Sequence, residues 1–76
     1  MEYRKEGRID DAVTAFGQLR DKDADYVPLY LMAGQTLIDA GRPVEARSWL
    51  ESGVEVATRK RDSHALGELE SALASL

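Results

Sequence analysis

Apolar residues recur at helical intervals along the chain, interrupted at a few polar or glycine-bearing points. Tyr30, Ala33, Gly34 and Leu37 fall at i, i+3, i+4 and i+7, one face of a helix. Pro28 suits the first turn of that helix, where a missing N–H does no harm, and the pattern continues to about Ala40. Gly41-Arg42-Pro43 then stops the helix and starts another. A glycine just past a helix end adopts a left-handed backbone at little cost, and Pro43 fits the opening turn of the next helix. That next helix is predicted from Pro43 to about Lys60. Ala46, Leu50, Gly53, Val54 and Ala57 form its buried stripe, with Trp49 and Val56 on the flank. Gly34 inside a helix costs up to ~1 kcal/mol against alanine. A helix crossing there with no room for a side chain would explain it.

The chain before Tyr30 repeats the pattern in part. Met1 to Glu6 reads as the tail of a helix, and Gly7 as its break. A second helix is predicted from about Ile9 to Leu19, with Ile9, Ala12, Val13, Phe16 and Leu19 on one stripe and Phe16 as its anchor. Asp10 and Asp11 lie in its first turn, where the helix dipole favours carboxylates. Arg20 to Asp25 is expected to be loop, with Asp25 capping the helix that follows. Near the other end, Asp62 or Ser63 caps a last helix reaching Leu76. Leu66, Leu69, Leu73 and Leu76 give it one sharply apolar face. The fold class is therefore all-α, built from antiparallel helix–turn–helix units.

Composition narrows this only a little. At 76 residues the chain is one domain at most, able to bury ~60–65% of its unfolded surface. It has no cysteine, which excludes disulfides and thiolate metal sites. Its net charge of −4 argues against a nucleic-acid partner, because such affinity comes largely from neutralising phosphates. No apolar run approaches the ~20 residues of a membrane span, and the first residues lack the apolar segment of a secretory signal. A cytoplasmic setting is the default expectation. The basic run Arg59-Lys60-Arg61 belongs in a last helical turn, complementing the dipole, and Glu55 is placed to pair with Arg59 one turn on.

No catalytic constellation emerges. Asp21, Asp23 and Asp25 alternate like the start of a calcium loop. Such a loop needs glycine at its sixth place and glutamate at its twelfth, and Tyr26 and Met32 stand there. His64 and Glu68 lie one helical turn apart, but two ligands do not make a zinc site. No metal, cofactor or enzymatic activity is expected. Trp49 would suit a partner contact or a lid on the core, the latter being the commoner use.

Gly7 and Gly41, Ala12 and Ala46, and Phe16 and Leu50 are each 34 residues apart. That period belongs to helix–turn–helix solenoids. Tyr30, Gly34, Gly41, Ala46, Leu50 and Gly53 fall in the slots of the tetratricopeptide repeat, which the chain resembles over roughly residues 3–57. Gly7, Arg8, Ala12, Phe16 and Leu19 are similar to the second half of a preceding copy. Leu37 replaces the usual tyrosine, and Ala24 and Thr58 stand where a repeat-ending proline is usual. The last third resembles the end of small bacterial proteins of this family, in which a complete helix precedes the segment matching residues 1–7.

The resemblance implies a right-handed α-solenoid fragment in a single domain, 1–76. Residues 1–25 would be a partial first repeat, 26–60 a full second repeat and 61–76 a capping helix. It further implies a non-catalytic scaffold whose concave face takes a peptide or helix of a protein partner. That face would be lined by Leu31, Gln35, Ile38 and Asp39, joined by Arg4 and Lys5 from the partial repeat. The alternative is self-association as a homodimer, through a face of the first helices bearing Ile9, Val13 and Phe16.

Overall fold

Three chain breaks divide the molecule, and the last two have a local cause. The computed structural model describes residues 2–76, with side chains from Gly7 onward. Four helices result, and no strand occurs among the described residues: α1 (Glu2–Lys22), α2 (Val27–Asp39), α3 (Pro43–Lys60) and α4 (Ser63–Ala74). The α2–α3 break is the sharpest. Gly41 takes φ 75°, its N–H donates to the carbonyl of Ile38, and the Arg42 N–H donates back to that of Leu37 at 2.8 Å. These two bonds satisfy carbonyls that a helix end otherwise leaves open. Arg61 makes the same turn after α3 without being glycine, at φ 58°, with the Asp62 N–H donating to the Ala57 carbonyl. Asp62 then caps α4 by accepting from the Ala65 N–H at 3.1 Å.

The helices expected from Pro28, Pro43 and Asp62 onward are present. The expected break at Gly7 is not. α1 runs through Gly7, and Gly41 alone among the described glycines has a positive φ. The difference lies in Pro43. A proline has no N–H to donate, and it pushes the residue before it out of helical conformation. Arg42 accordingly sits at φ −115° and ψ 68°. The counterpart of Pro43 one period earlier is Ile9, which keeps its N–H and places no such restriction on Arg8. α1 also continues through Arg20, Asp21 and Lys22, so the connection to α2 is only Asp23–Tyr26. Asp25 does not cap α2. Tyr26 holds that position with no side-chain cap bond, while the Asp25 carboxylate accepts from Arg59 Nη2 at 2.6 Å.

α2 and α3 form an antiparallel hairpin, α4 lies against both, and α1 lies against α2. The Cα trace measures 42 × 28 × 15 Å. The short dimension is close to one interhelix spacing of ~9–10 Å plus two helical radii of ~2.3 Å, so the body is two helices thick. Its core is correspondingly small. Leu29, Leu37, Leu50 and Leu69 are fully buried, with Val27, Tyr30, Ala33, Ala46, Trp49, Val56, Ala57 and Ala72 around them. Each large side chain there contributes on the order of 1.5–3 kcal/mol by leaving water. The close crossing expected at Gly34 is present: a Cβ on Gly34 would fall within 2.6 Å of Leu50 Cγ. Gly53 is hemmed in by two residues, because its Cβ would meet Tyr30 Cβ at 2.6 Å and Leu69 Cδ2 at 2.9 Å.

Candidate functional site

One stripe of α2 is turned away from the α2–α3 contact. Leu31, Gln35 and Ile38 follow one another at helical spacing, with Asp39 beside Ile38. Gln35 and Asp39 are exposed, whereas Leu31 and Ile38 are half-buried and pack on the core with part of their surface left in water. The stripe is thus apolar at its base and polar on its crest. Met32, 53% exposed, borders it one turn before Gln35 and did not figure among the expected contact residues. Periodicity alone cannot find such a residue, since an apolar residue in an apolar helix reads as core. Arg4 and Lys5 lie outside the residues whose side chains are described. An open depression of about 210 Å³ lies elsewhere, at the α3–α4 corner between Ala57, Arg61, Asp62 and Leu66.

Ile9, Val13 and Phe16 on α1 are half-buried and directed at the chain's own core. Phe16 and Trp49 meet in an edge-type contact, centroids 6.2 Å apart at 66°, and Tyr30 lies tilted against the same indole at 6.0 Å. The Arg20 guanidinium sits 4.6 Å from the Trp49 ring centre, a cation–π contact. Trp49, 8% exposed and in contact with three side chains, is therefore a core lid rather than a free surface anchor.

The charged side chains pair across the surface between elements. Arg59, expected to pair with Glu55, reaches across to Asp25, and Lys60 donates to the Asp25 carbonyl at 2.9 Å. Arg42 Nη1 meets Asp10 at 2.6 Å, tying α1 to the α2–α3 turn. Tyr30 Oη donates to the Ala24 carbonyl at 2.6 Å. Burial raises the Tyr30 phenol above its usual value; the neighbouring Asp25 and Asp23 push the same way, against Arg20 and Arg59. His64 Nε2 lies 2.7 Å from Glu68, both on the outer side of α4. Among the described residues no three His, Cys, Asp or Glu side chains group as metal ligands, and no buried polar side-chain atom lacks a partner. No helix of the described residues is long and apolar enough to cross a membrane.

No curated protein and no solved structure matches the chain. The family model described as Tetratricopeptide repeat does match, over residues 3–73. That span takes in the α2–α3 hairpin with its Gly34–Leu50 crossing, together with most of α1 and α4. The chain belongs to the tetratricopeptide repeat family.

Proposed function

We propose that the outer stripe of α2 receives a short segment of a protein partner. The family's general role is protein–protein interaction, and its repeats are generally non-catalytic; the finer assignment here is the surface. It rests on one observation. Leu31 and Ile38 keep apolar surface in water, flanked by the exposed Met32, Gln35 and Asp39. That arrangement suits a docked chain whose apolar side chain seats between Leu31 and Ile38, while Gln35 and Asp39 supply hydrogen bonds and one negative charge. Within a single domain, residues 26–60 then form the complete repeat, residues 1–25 the partial one and residues 61–76 the cap. No reaction is assigned to the chain. Self-association through Ile9, Val13 and Phe16 is the weaker reading, because those side chains already pack on their own core.

Leu31 and Ile38 are too far buried for a charge to be placed there without cost to folding, so the test uses their exposed neighbours. Peptides selected from a displayed random library against the protein should lose affinity about tenfold or more on Met32→Glu with Gln35→Arg and Asp39→Arg. Glu51→Arg, on the outer side of α3, should leave binding unchanged. Selected peptides that ignore the α2 substitutions, or respond equally to Glu51→Arg, would remove this assignment.

A further inference from the structure

The helices do not share the core equally. Among the residues whose side chains are described, all the buried apolar ones lie on α2, α3 and α4, and residues 7–22 of α1 contribute none. Its inward stripe is only half-buried at Ile9, Val13 and Phe16, and Leu19, the next residue along it, is 49% exposed. Two of α1's described side-chain attachments, the Phe16 edge contact and the Arg20 cation–π contact, end on the single residue Trp49. A third, Asp10 with Arg42, joins an aspartate two-thirds exposed to a partly exposed arginine. Surface ion pairs of this kind hold little against water and salt.

The chain just after α1 is held quite differently. Ala24 is fixed by the part-buried bond from the Tyr30 hydroxyl, and Val27 is already in the core, whereas the Asp25–Arg59 pair is as exposed as Asp10–Arg42 and adds as little. The boundary between lightly held and firmly held chain therefore falls at Asp23, the first residue past α1.

We infer that α1 is a strap that lifts about Asp23 as a unit from a three-helix body, uncovering Trp49 while α2, α3 and α4 stay folded. This goes beyond partner binding by α2 and does not depend on it. A segment with few buried apolar contacts opens at a free energy well below that of global unfolding. Apart from Trp49, the body keeps its core around Leu29, Leu37, Leu50 and Leu69 when α1 leaves. The chain thus has a closed form, with its only tryptophan covered, and an open form in which that ring meets solvent.

Hydrogen exchange of the full-length protein, followed amide by amide in urea well below the unfolding transition, tests this. Val13 to Arg20 amides should exchange through an opening at least about tenfold more populated than the one that frees Leu37, Leu50 and Ala57, and with a shallower urea dependence. Equal populations and equal urea slopes for the two groups would overturn the inference. Ala72→Gly, on α4, gives a second reading, because it weakens the body and leaves α1's contacts intact. It should speed exchange at Leu50 and Ala57 roughly tenfold and alter Val13 to Arg20 by less than about twofold. If both groups speed up together, α1 and the body are one cooperative unit and there is no strap.

Discussion

Two pairs of helical glycines show how differently the first helix and the central hairpin are built. Gly7 and Gly17 lie in α1, and a methyl group on either would meet nothing within 4 Å. Gly34 and Gly53 lie in α2 and α3, where the same methyl has no space. The residue type and the helical setting are alike. What differs is whether another helix has been drawn in to close contact. In the hairpin the missing side chains let the backbones approach, and the leucines of the core close over them. In α1 they leave only an absence, at the usual propensity cost.

The largest effect should come from filling the least yielding of these spaces. Gly53→Ala places a methyl against Tyr30 Cβ, which cannot rotate away because the α2 backbone fixes it. Leu69, fully buried, blocks the other side. Overpacking of this kind costs ~1–3 kcal/mol, offset by up to ~1 kcal/mol of helix propensity. A net loss of about 1–2 kcal/mol should lower the urea midpoint clearly. Gly34→Ala should cost less, since it meets only Leu50 side-chain atoms beyond Cβ, which a χ rotation can displace, and no backbone-anchored Cβ. A Gly53→Ala protein as stable as the parent would mean the hairpin is not tightly closed.

How much of this was legible in the sequence divides along the same line. The hairpin was readable because each of its features has a local cause at a fixed place: Pro28 and Pro43 start helices, Gly41 ends one, and Gly34 marks a crossing. The family to which the chain belongs followed from Gly34 and Gly41 together with Tyr30, Ala46, Leu50 and Gly53. α1 was misread because the 34-residue offset pairs Gly7 with Gly41 as letters, whereas the turn depends equally on Pro43, and Ile9 stands in the proline's place. A repeat in sequence conveyed likeness of residue type and not of backbone conformation. Partner choice among charged residues was illegible for another reason. Asp25 could cap α2 or reach Arg59, and Arg59 could pair with Glu55 or Asp25. Only the spatial meeting of the Asp23–Tyr26 connection with the end of α3 decides between them. The α2 stripe was legible as a face, since Leu31, Gln35 and Ile38 share it by spacing alone. The depth to which Leu31 and Ile38 sink was not.

A middle-sized effect probes the point where the two regions meet. Tyr30→Phe removes the hydroxyl that holds Ala24 and should cost about 1 kcal/mol. It should also change the alkaline limb of stability. The unfolded phenol gives up its proton near pH 10, whereas the buried Tyr30 holds its proton to higher pH. Above about pH 10 the unfolded chain therefore binds fewer protons, and stability falls as pH rises through that window; below it the contribution is complete. Thermal melts between pH 8 and 11 should show a steeper decline for the parent than for Tyr30→Phe. Parallel declines would mean that Tyr30 ionises as freely folded as unfolded.

The smallest effect is the most discriminating. Gly7→Ala and Gly17→Ala should each stabilise α1 by about 0.5–1 kcal/mol, opposite in sign to Gly53→Ala, because the helix gains propensity and no atom is displaced. If α1 lifts before the body unfolds, this gain belongs to the closing of α1 alone. Protection of α1 amides should then rise severalfold while the urea midpoint of the α2–α4 body, reached after α1 has opened, stays nearly fixed. Gly53→Ala should do the reverse, moving the body's midpoint and sparing α1's own opening. A Gly17→Ala protein that loses stability would show that α1 is held against α2 as closely as α2 is held against α3. The contrast between the two regions would then be one of burial only, with no difference in how each is joined to its neighbours.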